Sequence, residues 1–444
     1  MKMMNRRQML GSLAVSASLP AKPLMAMQGV QLSELRNPVD LNALREKYRA
    51  GDPFNLTKLR NSRWSPDRTF KYMERFGVVR GTNYSTRMGG VFQDFDERVI
   101  QNLFGSGARP RIEFPATHFN EKVIEQELGW AQTVVGLNSI RLFVPISQYQ
   151  TDRELLFKNF ERVLDIAAGK GLSVMPVTGG AVLRDPDVKI SEPREQSEYQ
   201  FKPGVFGGGG NGGAGGGAGV RWDDKWPRLK PVIKDFVQTF IRRYSQDKRI
   251  ILWDLINEPP TAQRPLAEYL FEWAREVDPS QPLSVCWNGH DLSDVITFHT
   301  YMRPGLSAPE AAPARVDFLT ELDWATSWKR PILCTEWLAR PFGSTPENTL
   351  PFFSRYNIGW YNWALVTGGP AQVQYPWNWP IGSPEPPEWF HGLLYPDGRP
   401  YKADEILMIR DFKFQKPPEF VNTQSYWSYG DSVSDIRDVR PQLR

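Results

Sequence analysis

Two cysteines and four histidines are all the thiolate and imidazole metal ligands in this chain of 444 residues. Cys286 and Cys334 each stand alone, and His118, His290, His299 and His391 form no HxxxH or CxxC spacing. A disulfide framework is excluded, and so is a zinc site built on such motifs. Both cysteines sit in apolar, strand-like runs, which predicts buried, unreactive thiols. The chain lacks a GxSxG elbow and a phosphate loop ending in Gly-Lys-Ser or Gly-Lys-Thr, so neither a nucleophile-elbow nor a P-loop reading stands. Nothing in the residues asks for a cofactor or a metal.

An excess of charge of one sign is also missing. The formal net charge is +4, and Lys2, Arg6, Arg7 and Lys22 account for all of it, since the first 26 residues hold no acid. The neutral remainder gives no electrostatic reason to expect nucleic acid or an anionic membrane as partner. Long hydrophobic runs are scarce at the start: the weakly apolar stretch Gly11 to Leu19 is too short to span a membrane. With Arg6-Arg7 before it and a small residue at Ala26 after it (Ala17 is a second cleavage candidate), this start resembles a twin-arginine signal. The expectation is a signal over residues 1–26 and an exported protein, periplasmic or extracellular.

What is abundant is tryptophan, 16 residues, and an alternation of short apolar runs with longer amphipathic ones. The runs at 78–84, 138–144, 172–177, 250–258, 283–287, 294–301, 331–337 and 358–365 read as strands. Helical spacing covers 125–136, 153–168, 226–244, 266–273 and 318–328. Eight strands with intervening helices predict an α/β fold, a (β/α)8 barrel with an N-terminal helical extension and long βα loops. The expected divisions are an extension over 27–75 with one or two helices capping the barrel's bottom, the barrel over 76–410, and a tail over 411–444 packed outside. Between 184 and 224 lies the run Gly207 to Gly219, which satisfies GxGxxG only trivially. No strand leads into it and no helix opens at its end, so a dinucleotide reading fails. Trp377, Trp379 and Trp389 follow the eighth strand on a proline-rich loop; a sugar-stacking wall and a small satellite core are both open for them.

Two of the strands end in glutamate: Ile250 to Glu258-Pro259, and Pro331 to Glu336-Trp337. In a parallel barrel a strand's C-terminal end is the active-site face, so both carboxylates meet one cleft. Such a pair is what cleavage of a glycosidic bond requires. A structural ion pair with Arg141 or Arg80 is the plainer alternative. Asn257-Glu258-Pro259, His299-Thr-Tyr301, Glu336 and Trp363 together resemble clan A of the glycoside hydrolases, most closely family 5, the cellulase and mannanase family. The stretches Glu127-Leu-Gly-Trp-Ala131 and Trp389-Phe-His-Gly392 resemble a bacterial, β-xylanase-like subgroup. The resemblance covers roughly Val78 to Arg410.

It implies that Glu258 is the general acid/base and Glu336 the nucleophile. Asn257 would bind a sugar 2-hydroxyl, and Arg141 would hold Glu336 ionised. Tyr301 would hydrogen-bond Glu336, His299 would line the site, and Trp363 would floor the subsite where the bond is cut. Trp253 and Ile256 are expected to give Glu258 a less polar surrounding. The partner implied is an oligo- or polysaccharide, cleaved by a monomer with retention of configuration and without a cofactor. A transglycosylase of the same clan and a non-catalytic carbohydrate-binding barrel are the alternatives. One departure is the third-strand end, Val177-Thr-Gly-Gly180, which lacks the histidine that the family often has there and leaves the substrate subclass open.

Overall fold

The computed structural model describes residues 40–87, 119–144, 146–179, 222–259, 261–301, 318–367 and 386–415. The signal-like start, the glycine-rich run, Trp377, Trp379 and the tail beyond 415 lie outside the described residues. Three short helices open the described chain: α1 (Leu41–Tyr48), α2 (Leu56–Asn61) and α3 (Pro66–Met73). Each starts where a polar side chain caps free amides. Asp40 accepts from Asn42 and Ala43, Asn55 from Lys58, and Ser65 from Arg68. The sequence gives one or two helices here; three form because each is short and separately capped.

The barrel then runs β1 (Arg80–Asn83), α4 (Glu121–Trp130), β2 (Ser139–Phe143), α5 (Ile146–Thr151), α6 (Arg153–Gly169), β3 (Ser173–Val177) and α7 (Trp222–Arg243). It continues β4 (Trp253–Asp254), α8 (Arg264–Val277), β5 (Leu283–Ser284), β6 (Ile296–His299), α9 (Phe318–Ser327), β7 (Ile332–Trp337), α10 (Pro346–Arg355), β8 (Ile358–Asn362) and α11 (Ala403–Arg410). All strand pairs are parallel, in the order β5-β4-β3-β2-β1-β8-β7-β6. The remaining seam, β5 against β6, is joined by Asp294 N–H donating to Leu283 O (2.8 Å) and by the hydroxyl pair Ser284–Thr297 (2.7 Å). The eight-stranded (β/α)8 barrel read from the periodicity is thus the observed fold. Each of its strands falls within a predicted run.

Two apolar layers hold it. Inside the lower barrel, Met73, Val79, Met175, Ile251, Leu252, Val295, Leu333 and Tyr361 pack together. Between strands and helices lies a much larger core that includes Phe160, Phe236, Phe240, Trp253, Trp337 and Trp360. At the strands' N-terminal ends, Trp64 N–H donates to Asp294 Oδ1 (2.7 Å) and Arg330 donates to Trp64 O (2.9 Å). This segment therefore closes the bottom, while α1 lies along α8, tied by Arg45 to Glu268 (2.7 Å). Cys286 and Cys334 are free and fully buried. Phe412, just past α11, packs edge-on against Trp360 at 5.7 Å.

Candidate active site

Asn83, His299 and Glu336 stand at or near the C-terminal ends of β1, β6 and β7, and Asn257 and Glu258 follow β4. Arg141, in the middle of β2, points into the barrel and is wholly buried. Four of its guanidinium N–H groups donate hydrogen bonds, and Nη2 makes a further close ionic contact. Nε and Nη2 reach Asp254 Oδ2 at 2.9 and 2.8 Å, Nη1 reaches Asn83 Oδ1 and Glu336 Oε1 at 2.8 Å each, and Nη2 reaches Asn257 Oδ1 at 2.6 Å. A planar fork with five donors is suited to tie β1, β4 and β7 to one point. The amide of Asn257 is oriented by this bond: its oxygen faces Arg141, so its N–H2 is left to donate.

Glu336 reaches this hub because β7 is irregular. Leu333 faces the barrel interior and Cys334 the helical core. Strict alternation would turn Glu336 outward and Trp337 inward. Between Cys334 and Trp337 the register slips against both β6 and β8, so that one extra residue sits in β7. The bulge re-aims Glu336 into the barrel mouth and sends Trp337 out against Phe353 and Trp360. Besides Arg141, Glu336 accepts from the Tyr301 hydroxyl at 2.6 Å.

Glu258 follows the short β4 with a left-handed backbone, φ 46°. Its N–H donates to Cys286 Sγ at 3.1 Å, and its side chain is 16% exposed, more than that of Glu336 at 8%. His299 Nδ1 stands between the two carboxylates, 2.6 Å from Glu258 Oε1 and 3.5 Å from Glu336 Oε2. Oxygens of the two glutamates and the His299 nitrogen lie within 4.8 Å of one another. Three ligand-type atoms so close could be taken for a metal centre. The buried Arg141 guanidinium, 2.8 Å from Glu336, already supplies the local positive charge, which makes an acid–base cluster the better physical account.

Electrostatics follows burial. The Glu336 carboxyl is pushed above its ordinary value by desolvation, with His299 the largest opposing influence, the Glu258 charge adding, and Arg141 and Tyr301 opposing more weakly. Arg141 does grip Glu336 as the sequence suggested, but burial outweighs it and the net direction is up. Burial takes His299 down to about 4, so its ring is neutral near pH 7. The Tyr301 hydroxyl is pushed well above its ordinary value by burial and by Glu336, which keeps it a proton donor.

The seven residues to which the resemblance gives roles, Arg141, Asn257, Glu258, His299, Tyr301, Glu336 and Trp363, converge on this mouth. Trp363 follows β8, half-buried, edge-on to Phe143 at 6.0 Å, with a cis peptide bond to Ala364. Trp253 does not lie beside Glu258: its ring abuts Phe240 of α7 and its N–H bonds Gln281, because the pleat turns it outward and Asp254 inward. Trp389 is buried and stacked on Tyr401 at 4.0 Å, so for this residue the satellite-core alternative holds. Sequence reasoning missed Asn83, Asp254, Phe143 and the half-buried Trp287, whose ring is 6.0 Å from that of His299. Asp254 had a signal: it lies four residues before Glu258 in a strand otherwise apolar.

No protein-family model and no curated protein matches the chain. Among solved structures it is similar to a glycoside hydrolase family 5 mannosidase from Rhizomucor miehei, with 15% identity and a TM-score of 0.43 over 76% of this chain and 92% of that one. It is also similar to a family 5, subfamily 18 protein from Streptomyces cattleya bound to GlcNAc, with 13% identity and a TM-score of 0.46 over 77% and 82%. A third is the endo-β-1,4-mannanase from Thermotoga petrophila, with 15% identity and a TM-score of 0.45 over 76% of each chain. Likeness at this level carries no chemistry with it; the side chains at the barrel mouth do.

Proposed function

We propose that this chain is a retaining glycoside hydrolase that cuts an O-glycosidic bond in a β-linked glycan or glycoside by double displacement. One observation carries the reading: Glu258, after β4, and Glu336, on β7, each bring one carboxylate oxygen within 4.8 Å of the other's. Retention needs carboxyl groups about 5–5.5 Å apart, and inversion needs about 6.5–9.5 Å to admit a water. Nearest oxygens this close favour the retaining spacing, with Glu336 as a nucleophile rather than a base that activates water from the far side.

In this reading Glu258 gives its proton to the glycosidic oxygen as the C1–O bond breaks, and Glu336 bonds to C1. Water then loses a proton to the Glu258 carboxylate and attacks C1, which releases Glu336. The neutral imidazole of His299 sits 2.6 Å from Glu258 Oε1, close enough to share that oxygen's proton. Arg141 and Tyr301 fix both oxygens of Glu336, so the nucleophile is held in one orientation before substrate arrives. Asn257, its oxygen occupied by Arg141, offers N–H to a sugar hydroxyl, and Trp363 with Phe143 offers an aromatic floor.

A panel of β-linked aryl glycosides and polysaccharides, read by reducing-end release and by NMR of the first-formed anomer, tests this. Glu258→Gln is expected to lower turnover by roughly 100- to 10,000-fold, and Glu336→Gln at least as much. Near-parental turnover by Glu336→Gln on every substrate that the parent cleaves would sink the assignment. Product analysis with added acceptor sugar separates hydrolysis from transglycosylation, which shares the same covalent step.

A further inference from the structure

We propose that Asp254 is a positioning residue that divides the charge of Arg141 and so sets how tightly Arg141 grips Glu336. The proposal rests on the reading of Glu336 as the nucleophile. Arg141 is a single fixed cation between two carboxylates on facing strands. Arg141 Nε donates to Asp254 Oδ2 (2.9 Å) and Nη2 lies 2.8 Å from the same oxygen, while Nη1 donates to Glu336 Oε1 (2.8 Å). Arg141 and Asp254 are both fully buried, where charges interact far more strongly than in water. Asp254 lies on β4 below the mouth, while the two glutamates hold the mouth itself. It acts on the chemistry through Arg141.

The division has a chemical reason. A nucleophilic carboxylate facing an uncompensated guanidinium is stabilised most in its free, fully charged ground state. That stabilisation is lost as the charge passes into the new C1–O bond, which raises the barrier. Asp254 Oδ2 lies within 2.9 Å of two Arg141 nitrogens and Glu336 accepts from one, so Arg141 orients Glu336 without over-stabilising it. Other groups face Glu336 from neighbouring elements: Glu258 after β4, His299 on β6 and Tyr301 beyond it, with the Cys334 thiol on its own strand. Burial also lifts the Asp254 carboxyl above its ordinary value, with Arg141 pulling the other way.

The test follows the Glu336 carboxyl by 13C NMR in glutamate-labelled protein, the resonance assigned by its loss in Glu336→Gln. Removing a negative charge near a carboxylate, and returning Arg141 to it, favours the ionised form. Asp254→Asn is therefore expected to move the Glu336 midpoint to lower pH by on the order of one unit. The acid limb of kcat/KM on an aryl β-glycoside that the parent cleaves should move with it. Asp254→Ser, which also removes the charge, serves if the Asn variant does not fold. Asp254→Glu keeps the charge and should hold the midpoint near the parental value. A midpoint unchanged in the neutral variants, with only thermal stability and activity reduced, makes Asp254 merely structural and overturns the proposal. A midpoint that moves while the acid limb of kcat/KM stays in place upholds the charge division and removes Glu336 from the nucleophile's role.

Discussion

Tyr301 shows how much one atom contributes at this site. Its hydroxyl is 2.6 Å from Glu336 Oε2, buried, and held as a donor by its raised pKa. A hydrogen bond to a charged partner contributes about 1.5–3 kcal/mol. Because that bond also fixes the direction in which Glu336 faces the mouth, Tyr301→Phe is expected to lower kcat/KM by about ten- to a hundredfold. The sign of its pH effect is opposite to that of the Asp254 variants. Losing a donor disfavours the Glu336 anion, so the acid limb should move to higher pH, which a kcat/KM–pH profile checks. The residues carrying chemistry were legible in the sequence because Asn257-Glu258-Pro259, Glu336 and His299-Thr-Tyr301 each end or extend a strand. Asn83 and Phe143 were not, since an asparagine and a phenylalanine at a strand end have many uses.

At the scale of elements, two irregular strands aim the glutamates. The extra residue in β7 turns Glu336 inward, and β4 leaves regular geometry after Asp254 to bring Asn257 and Glu258 to the mouth. The end of β3 makes room for the latter. Gly179 O accepts the Asn257 N–H at 2.5 Å, and a Cβ on Gly179 would stand 2.4 Å from Leu255 O. That contact is with backbone, so Gly179→Ala must push the Leu255–Asn257 segment. A misplacement near 1 Å costs on the order of a hundredfold in turnover. Circular dichroism with kcat on the same preparation should show a folded but crippled protein. Three helices were missed for local reasons. In α10, Pro346 opens the helix but Pro351 sits inside it, which reads as a breaker; α5 and α11 are only six and eight residues long.

The whole molecule depends on a buried ionic joint between the N-terminal helices and the barrel wall. Glu268 of α8 is fully buried and pairs with Arg45 (2.7 Å), Arg49 (3.7 Å) and Arg264 (2.9 Å). Arg49 lies between the rings of Phe54 and Tyr269, 3.8 Å from each. Arg49 also meets Glu272 (2.8 Å) and Arg264 also meets Asp291 (2.6 Å), so removing Glu268 takes the carboxylate partner from Arg45 and one of two from the others, at about 1.5–3 kcal/mol. Glu268→Ala is therefore expected to lower the thermal midpoint by several degrees while the folded fraction keeps its kcat, since Glu268 belongs to the joint and not to the mouth. A thermal melt paired with activity per folded molecule checks this.

Periodicity alone determined the barrel, because a buried parallel strand must be apolar for most of its length and a covering helix must be apolar on one face. Strand-end position alone determined which carboxylates meet. Three things waited for the tertiary structure: the inward turn of Glu336, the outward turn of Trp253, and the sharing of Arg141 between Asp254 and Glu336. Each depends on register between strands far apart in the chain, and a one-residue slip reverses a side chain's face without any local change in sequence.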